Sequence, residues 1–393
     1  MSMRIGIDAT GVWGLQTGTP SGIINYALEI IAGLLRVAPQ HNFHIYFRNG
    51  ILPEHEHLSA LSEVHIIKSG NRKFLQQARL PFAARANLID VMFFPFNSAS
   101  LAFPCPTVTT IHDLHPFVVP TRFDIVHGAG THGQLKSMLN KTYWRQMLRL
   151  ACKRSTRIIA PSQATASDIN DIFGVSREKI DVIFEGVNLD VFNSDNDGFD
   201  LVEFRSRHNL PDRYILCMGT HGYKNLEGAI KAFELLKKPQ SEAFRTKLVI
   251  AGNPVVISSD VHKLIETLKL AEDVMIVGFF PQEEIKYLYQ CAELLLFPSF
   301  YEGFGLPVVE AFACGTPVVA SNRGALPEVG GDVALYVEPD DYQSMADLVA
   351  GLLQDRDFQI KKSRESLDRA KFFSWDRAAL STVKSFEHAI QDR

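Results

Sequence analysis

Short β-branched runs alternate with longer amphipathic segments along the whole chain, a pattern typical of repeated βαβ units and parallel sheets. The first half predicts seven strands, at Arg4–Asp8, Phe43–Phe47, Val64–Ile67, Val91–Phe94, Thr107–Ile111, Arg157–Ala160 and Ile180–Phe184. The second half predicts six more, at Tyr214–Met218, Lys247–Ala251, Val274–Val277, Leu294–Phe297, Pro317–Ala320 and Leu335–Val337. We therefore expect an α/β fold with two Rossmann-like, doubly wound domains facing a central cleft.

The length of 393 residues also favours two domains, because single hydrophobic cores stop growing at roughly 250–300 residues. A polar stretch without periodicity at Asn193–Asp200 is typical of a connection between domains. We place the first domain at residues 1–204 and the second at residues 205–372.

Composition excludes several classes of protein. Hydrophobic residues make up 46% of the chain and charged residues 21%, and a net charge of -4 offers no overall field to select nucleic acid. The five cysteines form no C-x-x-C pair, which argues against a disulfide framework or a zinc site. The first residues lack the blocks of a signal peptide, and no apolar run reaches the roughly 18 residues of a spanning helix. We expect a cytoplasmic protein whose membrane contact, if any, is peripheral.

The most informative segment follows the predicted strand Leu294–Phe297 and reads P-S-F-Y-E-G-F-G-L-P-V-V-E-A-F-A-C-G-T-P over residues 298–317. Pro307 suits the first position of a short helix and Gly315 the residue beyond its end. Amide groups and the dipole at such a helix start attract phosphate. Glu302 and Glu310 would repel phosphate but suit the hydroxyls of a sugar or ribose. The segment indicates a nucleotide-sugar site, although two glutamates at this spacing also occur by chance.

This segment resembles the signature of the retaining glycosyltransferases of family 4, which have the GT-B fold. The resemblance extends upstream to Val277, Gly278 and Phe279, and downstream to 326–329 and 331–332. It implies that residues 205–372 bind the nucleotide sugar and residues 1–204 the acceptor. It also implies that residues 373–393 form a terminal helix that crosses back to the first domain.

The resemblance assigns roles to individual positions. By analogy with the family, Glu310 binds ribose hydroxyls, and Glu302 helps to hold the donor sugar. The amides that follow Glu302 hold the donor sugar and phosphates, and they belong to Gly303, Phe304, Gly305 and Leu306.

A cation is expected where the first strand of the second domain ends. Gly219 and Thr220 follow this strand, and Lys224 lies just before a helix. A fixed ammonium group can stabilise the charge that a nucleoside diphosphate gains as it leaves. The alternative is a solvated lysine, which the helix dipole mildly disfavours. The similar family segment usually has an arginine before this lysine, whereas Tyr223 stands here, so the source of a second cation stays open, with Arg323 as a candidate.

Two segments of the first domain also resemble the family, and the first of them lies between the opening strand and a helix. Gly18, Ser21 and Gly22 lie in a stretch similar to its glycine-rich loop near the acceptor and phosphate, although any of them can be an ordinary turn residue. A dinucleotide-binding fingerprint is excluded because G-x-G-x-x-G is missing and the second strand ends in Arg48 without a ribose-binding acid.

A histidine at the end of another strand of the first domain completes the catalytic set of His112, Lys224 and Glu302. His112 begins a segment similar to the family's H-D-L, whose histidine faces the donor sugar, and Asp113 is placed either to orient it or to cap the next segment. A single histidine among thirteen otherwise favours a structural role.

We expect neither a metal nor a cofactor. D-x-D occurs at residues 195–197 and 355–357, but neither match follows an apolar strand that could hold a cation against a pyrophosphate.

Charge is unevenly distributed, since residues 1–160 contain sixteen basic and eight acidic residues, a net charge of +8. Residues 135–157, from Leu135 to Arg157, contain seven of these basic residues and no acid. Basic side chains recur every four residues beside an apolar stripe of Trp144, Met147, Leu148 and Ala151. This periodicity fits a helix on an anionic membrane and equally an ordinary surface helix with a core-facing stripe.

Together these features predict a retaining, metal-independent hexosyltransferase on the inner face of the cell membrane. The overall resemblance to bacterial exopolysaccharide and O-antigen mannosyltransferases favours α-mannose from GDP-mannose and a polyprenyl-diphosphate-linked oligosaccharide acceptor. Alternatives are a UDP- or dTDP-sugar donor, a soluble-sugar synthase or epimerase of the same fold, a glycoside hydrolase, and a non-catalytic sugar-nucleotide sensor.

Overall fold

The computed structural model describes residues 2–12, 22–51, 53–119, 131–195, 198–237, 245–281 and 283–392, with the side chains of 53–54 and 131–141 left out. The chain divides into two compact units. The first contains Met1–Phe117, Thr131–Gly186 and Ser374–Arg393, and the second contains Val187–Phe373. This division falls at residues 186 and 187, whereas the predicted domain boundary near residue 205 lies inside a helix at Leu201–Arg207.

All thirteen predicted strands are present in the described part of the chain. The first unit contains β1 Arg4–Asp8, β2 Asn42–Arg48, β3 Glu63–Ile67, β4 Val91–Phe94, β5 Thr107–Thr110, β6 Arg157–Ala160 and β7 Ile180–Val182. The second contains β8 Tyr214–Met218, β9 Lys247–Ala251, β10 Val274–Val277, β11 Leu294–Phe297, β12 Val318–Ser321 and β13 Leu335–Val337.

Both sheets are parallel and share one strand order. The first runs β3-β2-β1-β4-β5-β6-β7 and the second β10-β9-β8-β11-β12-β13. In each sheet the first strand of the unit pairs with the second on one side and the fourth on the other, which is the order of doubly wound folds. The predicted class, two Rossmann-like α/β domains, is confirmed.

Helices connect these strands. In the first unit they are α1 Gly22–Val37, α2 Arg72–Phe74, α3 Leu80–Ala86, α4 His115–Val118, α5 Thr131–Arg154 and α6 Gln163–Phe173, with a π-helical turn at Leu75–Arg79. In the second they are α7 Leu201–Arg207, α8 Leu226–Lys237, α9 Ser259–Thr267, α10 Ile285–Gln290, α11 Leu306–Ala313, α12 Leu326–Gly330, α13 Tyr342–Gln354 and α14 Arg356–Ala370. The last helix, α15 Trp375–Gln391, belongs to the first unit. Short 3-10 turns lie at Pro53–Ala60, Arg177–Lys179, Gly222–Lys224 and Pro254–Val256.

Each unit has its own core. Strands β4, β5, β8 and β11 are buried along almost their whole length, as expected for parallel strands covered on both faces. The terminal helix α15 completes the core of the first unit, where the Phe386 ring lies 5.4 Å from the Phe93 ring and Trp375 is 5% exposed.

Helix α5 places its apolar stripe mainly in the core of the first unit. Leu148 and Ala151 belong to that core and Met147 is 7% exposed, whereas Trp144 is 40% exposed. The stripe is therefore explained by packing on the sheet. The helix ends at Arg154, so the last basic residue of the segment 135–157 lies outside it, in agreement with the predicted strand Arg157–Ala160. Arg157 begins β6 and forms an ion pair with Asp181 at 2.6 Å, because the chain has already turned into the sheet.

Close backbone approach at Gly186 generates a stability prediction. A Cβ at Gly186 would lie 2.6 Å from Cγ of Trp375 and still closer to its backbone nitrogen, which cannot rotate away. We expect Gly186→Ala to destabilise the protein by about 1–3 kcal/mol, as overpacking typically does. Gly351→Ala is the matched control, because the same substitution meets nothing within 4 Å inside α13 and should raise stability by roughly 0.5–1 kcal/mol. Urea unfolding of both variants measures this difference, and equal midpoints would contradict it.

Candidate functional site

The site of the second unit lies at the carboxyl ends of β8 and β11. These strands are hydrogen-bonded neighbours, with Leu294 opposite Ile215, although they are far apart in the chain. In a doubly wound sheet, the connections that follow two such neighbouring strands turn to opposite faces of the sheet. Because the connections diverge, a crevice opens beyond the carboxyl ends of the two strands. The predicted lysine and the first predicted glutamate follow these two strands.

Lys224 and Glu302 form an ion pair at the mouth of these strands. The Lys224 ammonium nitrogen lies 2.7 Å from Oε1 of Glu302, and the two side chains are 12% and 10% exposed. The ammonium also lies 4.7 Å from the Phe297 ring centroid. An ammonium has three hydrogen-bond donors, so the bond to Glu302 orients the group while leaving capacity for an anionic ligand. Two residues of the predicted catalytic set are thus in direct contact.

Backbone contacts hold the two loops together. The Phe300 amide donates to the Tyr223 carbonyl at 2.8 Å. The side-chain amide of Asn225 donates to the carbonyl oxygens of Pro298 at 3.1 Å and Pro339 at 2.8 Å. Asn225 is a residue that sequence reasoning missed, because its role depends on loops that are distant in the chain.

Gly219 and Thr220 support the lysine. The Gly219 amide donates to the Ala251 carbonyl at 2.8 Å, and the Thr220 hydroxyl donates to the Asn253 carbonyl at the same distance. A Cβ at Gly219 would lie 3.1 Å from Cε of Lys224. The absence of a side chain at this position therefore lets the lysine stem lie against the strand end.

The Glu302 backbone is fixed by the loop that follows β12. The Ala325 amide donates to the Glu302 carbonyl at 3.0 Å, and Gly324 has a φ of +56°. A Cβ at Gly324 would lie 2.5 Å from that carbonyl oxygen, so only glycine permits this approach. Gly324 is a second supporting residue that the sequence analysis did not identify.

Helix α11 begins as predicted after Gly305, which has a φ of +106° and supplies no side-chain cap. Gly303, Phe304 and Gly305 are buried, whereas Leu306 is half-buried. Pro307 lies in the first turn, where its missing amide hydrogen costs no helical bond. Gly305 and Pro307 therefore fix the point at which α11 begins.

Glu310 is oriented by a tyrosine that sequence reasoning also missed. The fully buried Tyr289 donates its hydroxyl to Oε2 of Glu310 at 2.8 Å. Burial and the nearby Glu310 charge raise the pKa of Tyr289 well above its usual value, so the hydroxyl remains a donor. Tyr289 lies in the last turn of α10, and the sequence of that helix gave no sign of a polar partner twenty-one residues away.

The segment 277–279 lies further along the sheet. Val277 ends β10, which is the edge strand, and β9 separates it from β8. A Cβ at Gly278 would meet nothing within 4 Å, and Phe279 is 44% exposed. The structure thus places these three residues at the same carboxyl edge as the Lys224–Glu302 pair but two strands away.

His112 follows β5 in the first unit and is 6% exposed. Its Nδ1 lies 3.2 Å from the Glu185 carboxylate and its Nε2 lies 3.0 Å from the Pro95 carbonyl. Both partners are acceptors, so both bonds form only when the ring carries two protons. Of the two roles predicted for Asp113, the contacts match the capping of the next segment, because Asp113 pairs with the His115 ring at 2.8 Å and accepts from the His115 amide at 3.4 Å at the start of α4. Burial opposes ionisation of Asp113, but the bonds from His115 lower its pKa.

The remaining predicted positions fall into three groups. Gly18 and Ser21 lie outside the described residues, and Gly22 begins α1. The candidate second cation Arg323 pairs with Glu338 at 2.6 Å. Of the two D-x-D matches, Asp197 lies outside the described residues, and Asp355 caps α14 by accepting from the Phe358 amide at 2.9 Å.

One group of described residues has the chemistry of a metal site. Ligand atoms of His44, Glu63 and His65 all lie within 4.8 Å of one another on β2 and β3. The two rings, however, are nearly parallel at 7° with Nδ1 of His44 3.0 Å from Nε2 of His65, which is the arrangement of a direct hydrogen bond.

Comparisons with known proteins identify the class. The two Rossmann-like units, with a lysine–glutamate pair at the strand ends of the second, define a glycosyltransferase architecture. A model of group 1 glycosyl transferases matches residues 198–371, and a model of Glycosyltransferase Family 4 matches residues 20–191. The chain belongs to glycosyltransferase family 4.

Particular relatives are O-antigen enzymes. The chain is 35% identical over 175 residues to O-antigen chain mannosyltransferase B of Escherichia coli, which covers 44% of this chain and 45% of that protein. It is 26% identical over 341 residues to the E. coli serotype-specific mannosyltransferase WbdA, covering 83% and 40%. The chain thus spans less than half the length of these curated relatives. The fold matches that of Anabaena Alr3699/HepE in complex with UDP and glucose, with a TM-score of 0.70, 17% identity and coverage of 98% and 99%.

The ion pair of the second unit generates a prediction. We expect Lys224→Met alone to destabilise the protein by about 3 kcal/mol, because it leaves the Glu302 carboxylate nearly buried without its partner. Glu302→Gln should also destabilise the protein. The free energy of unfolding should fall less in the double variant than the sum of the decreases in the two single variants. The exposed pair Arg323–Glu338 is the matched control, with an expected coupling of about 0–1 kcal/mol. Denaturant unfolding of both cycles provides the measurement, and strict additivity at Lys224 and Glu302 would refute the coupling.

Proposed function

We propose that this protein is a retaining, metal-independent hexosyltransferase that transfers α-mannose from GDP-mannose to a polyprenyl-diphosphate-linked oligosaccharide in O-antigen or exopolysaccharide synthesis. The Lys224–Glu302 pair at the ends of β8 and β11 is the observation that carries the reaction type. The mannosyl residue and the acceptor are supported by the O-antigen mannosyltransferases among the relatives.

The proposed reaction breaks the bond between the anomeric carbon and the diphosphate, and forms a bond from that carbon to an acceptor hydroxyl oxygen. The leaving diphosphate gains negative charge and takes the proton of the acceptor hydroxyl on the same face of the sugar. Lys224 is placed to stabilise this charge, because its ammonium is already oriented by Glu302 and needs little reorganisation. The start of α11 supplies a second, fixed electropositive group.

Donor recognition is distributed along one edge of the second sheet. Glu310, held by Tyr289, is proposed to accept hydrogen bonds from ribose hydroxyls. Glu302 and the amides of residues 303–306 are proposed to hold the sugar and phosphates. Gly219 and Thr220 lie beside the lysine, and the exposed Phe279 ring at the end of β10 offers an apolar surface to the base.

In the first unit, His112 is proposed to act at the sugar through its backbone and the shape of its buried ring, since both ring nitrogens already have partners. The loop containing Gly18, Ser21 and Gly22 remains the proposed acceptor and phosphate loop. Neither proposal requires a metal or a cofactor.

Membrane association is proposed to be peripheral and electrostatic, on the inner face of the cell membrane. Among the described helices, none combines the length and apolarity that crossing a bilayer requires. Because Leu148 and Ala151 are in the core, the membrane contact would come from exposed residues of α5, namely Trp144, Arg145 and Arg149.

The reaction is tested by incubating the purified protein with GDP-, UDP- and dTDP-sugars and total lipid-linked acceptors. We expect mannose transfer from GDP-mannose with retained configuration. Lys224→Met should lower kcat by about 10²–10³, as loss of one preorganised donor does, while Glu310→Gln should mainly raise the donor KM. Release of free sugar from glycosides with no use of nucleotide sugars would instead indicate a hydrolase.

The membrane proposal is tested by flotation with vesicles containing anionic lipid. Arg145→Glu with Arg149→Glu should weaken binding at low salt, since each basic residue near such a surface contributes about 1 kcal/mol. Lys263→Glu with Lys361→Glu is the control, because it changes net charge equally at exposed positions of the second unit. Equal losses in both variants, or binding that ignores salt, would count against a specific role for α5.

A further inference from the structure

The first unit contains a cavity of about 280 Å³ that the proposed reaction has not used. Its walls come from residues 70–73 and 76 after β3, from Ser98 after β4 and from three residues of α5. The cavity therefore lies at the carboxyl edge of the first sheet, where doubly wound sheets bind their ligands.

Two residues of the cavity wall, Gln76 and Ser98, belong to a buried polar network centred on Asp8. The Asp8 carboxylate, at the end of β1, is fully buried. It accepts from the Thr10 amide at 2.9 Å, from the Thr10 hydroxyl at 2.5 Å and from the Gln76 side-chain amide at 2.8 Å. Gln76 reaches onward to the Ser98 hydroxyl at 3.3 Å. The hydrogen bonds to Asp8 in this network all come from neutral donors, and the nearby Arg72 interacts with the Asp8 charge without a direct hydrogen bond.

Two arginines beside this network have nitrogen atoms that lack hydrogen-bond partners among the described residues. These atoms are Nη2 of Arg72 and Nε of Arg48, and both are buried. Arg72 is otherwise well placed, because Nε lies 3.4 Å from the Thr10 hydroxyl and the guanidinium lies 4.8 Å from the Phe96 ring centroid. Native proteins rarely leave buried donors unmatched, and guanidinium groups match phosphate oxygens in geometry.

The positive charges in and near the cavity also favour the binding of an anion. Burial lowers the pKa of Arg72, the Asp8 charge opposes that shift and the Arg48 charge adds to it. Lys73 contributes a third cation, with its ammonium 3.6 Å from the Tyr143 ring centroid and 5.4 Å from that of Trp144. An aromatic ring orients an ammonium without neutralising it, so the cavity keeps a positive excess.

The end of β2 argues against a nucleotide in this cavity. In dinucleotide-binding sheets this strand ends in an acid that holds the ribose, whereas Arg48 occupies the end of β2. A cation at this position suits a phosphate. The Trp144 ring, which is 40% exposed, adds an apolar wall for the part of the ligand that carries the phosphate.

We propose that this cavity binds a phosphate or diphosphate group carried by the acceptor, with Arg72 and Lys73 as the cations of its wall, Arg48 as a further cation near Arg72, and Trp144 as its apolar wall. The inference rests on the proposed function, because it assigns the cavity to the acceptor of that reaction. The phosphate can belong to a prenyl diphosphate headgroup or to a soluble sugar phosphate, and both share the same recognition chemistry.

The test measures binding separately from turnover. Calorimetry is performed on the full chain with Lys224→Met in the background, which weakens the proposed donor diphosphate site. The probes are inorganic pyrophosphate, a short prenyl diphosphate and mannose 1-phosphate. We expect binding in this background, and Arg72→Met should weaken it at least tenfold while Arg72→Lys restores part of it. Arg85→Met, at an exposed position of α3 in the same unit, should leave binding unchanged.

The probes separate the two sources of phosphate. Tighter binding of the prenyl diphosphate than of pyrophosphate, with the difference lost in Trp144→Ala, identifies a lipid headgroup. Preference for mannose 1-phosphate identifies a soluble sugar phosphate. Binding that is absent in the Lys224→Met background, or that Arg72→Met and Lys73→Met both leave unchanged in folded protein, overturns the proposal.

A kinetic arm distinguishes this failure from failure of the proposed function. In the otherwise wild-type protein, Arg72→Met should raise the acceptor KM at least tenfold and leave the donor KM unchanged. Sugar transfer with an unaltered acceptor KM would refute the cavity assignment but keep the transferase. Phosphate binding through Arg72 without sugar transfer to any acceptor would keep the binding site and refute the transferase.

Discussion

The pairing of β8 with β11 is the constraint on which the proposed donor site depends. Lys224 and Glu302 are 78 residues apart, yet their strands are neighbours, so the loops that follow bring an ammonium and a carboxylate to 2.7 Å. Neither charge would be stable alone at about one-tenth exposure. Asn225 and Gly324 then fix the two loops that carry the pair. The electrostatics of the site thus follow from the strand order of the sheet.

The sequence predicted the strands well because parallel strands covered on both faces are short, continuous apolar runs, as in Leu294–Phe297. Lys224, Glu302 and Glu310 could be found because motif positions carried them. Tyr289, Asn225 and Gly324 could not be predicted, since their roles arise only when remote loops meet. A buried tyrosine in a short helix such as α10 has no local pattern that distinguishes a core residue from a partner for Glu310.

Helix α5 shows where periodicity alone cannot decide. A core-facing stripe and a bilayer-facing stripe have the same spacing, and burial of Leu148 and Ala151 assigns this one to the core. Arg157 is the last basic residue of the segment 135–157, but it belongs to β6 together with the isoleucines that follow it, as predicted. Its ion pairs with Asp181 and Asp392 remove it from any surface field that α5 produces.

The two units have the same strand order, but the charged residues at the carboxyl edges of their sheets are arranged differently. In the second unit a cation is paired directly with a carboxylate, so the site is close to neutral before a ligand binds. In the first unit the buried Asp8 is bonded by neutral donors, and two neighbouring arginines have buried nitrogens without partners among the described residues. An anion at the first sheet would therefore be attracted by arginines that have no carboxylate bonded to them among the described residues. An anion at the second sheet must share the Lys224 ammonium with Glu302. This difference agrees with the two proposals, in which the first sheet binds a ligand of permanent charge and the second stabilises a charge that grows as a bond breaks.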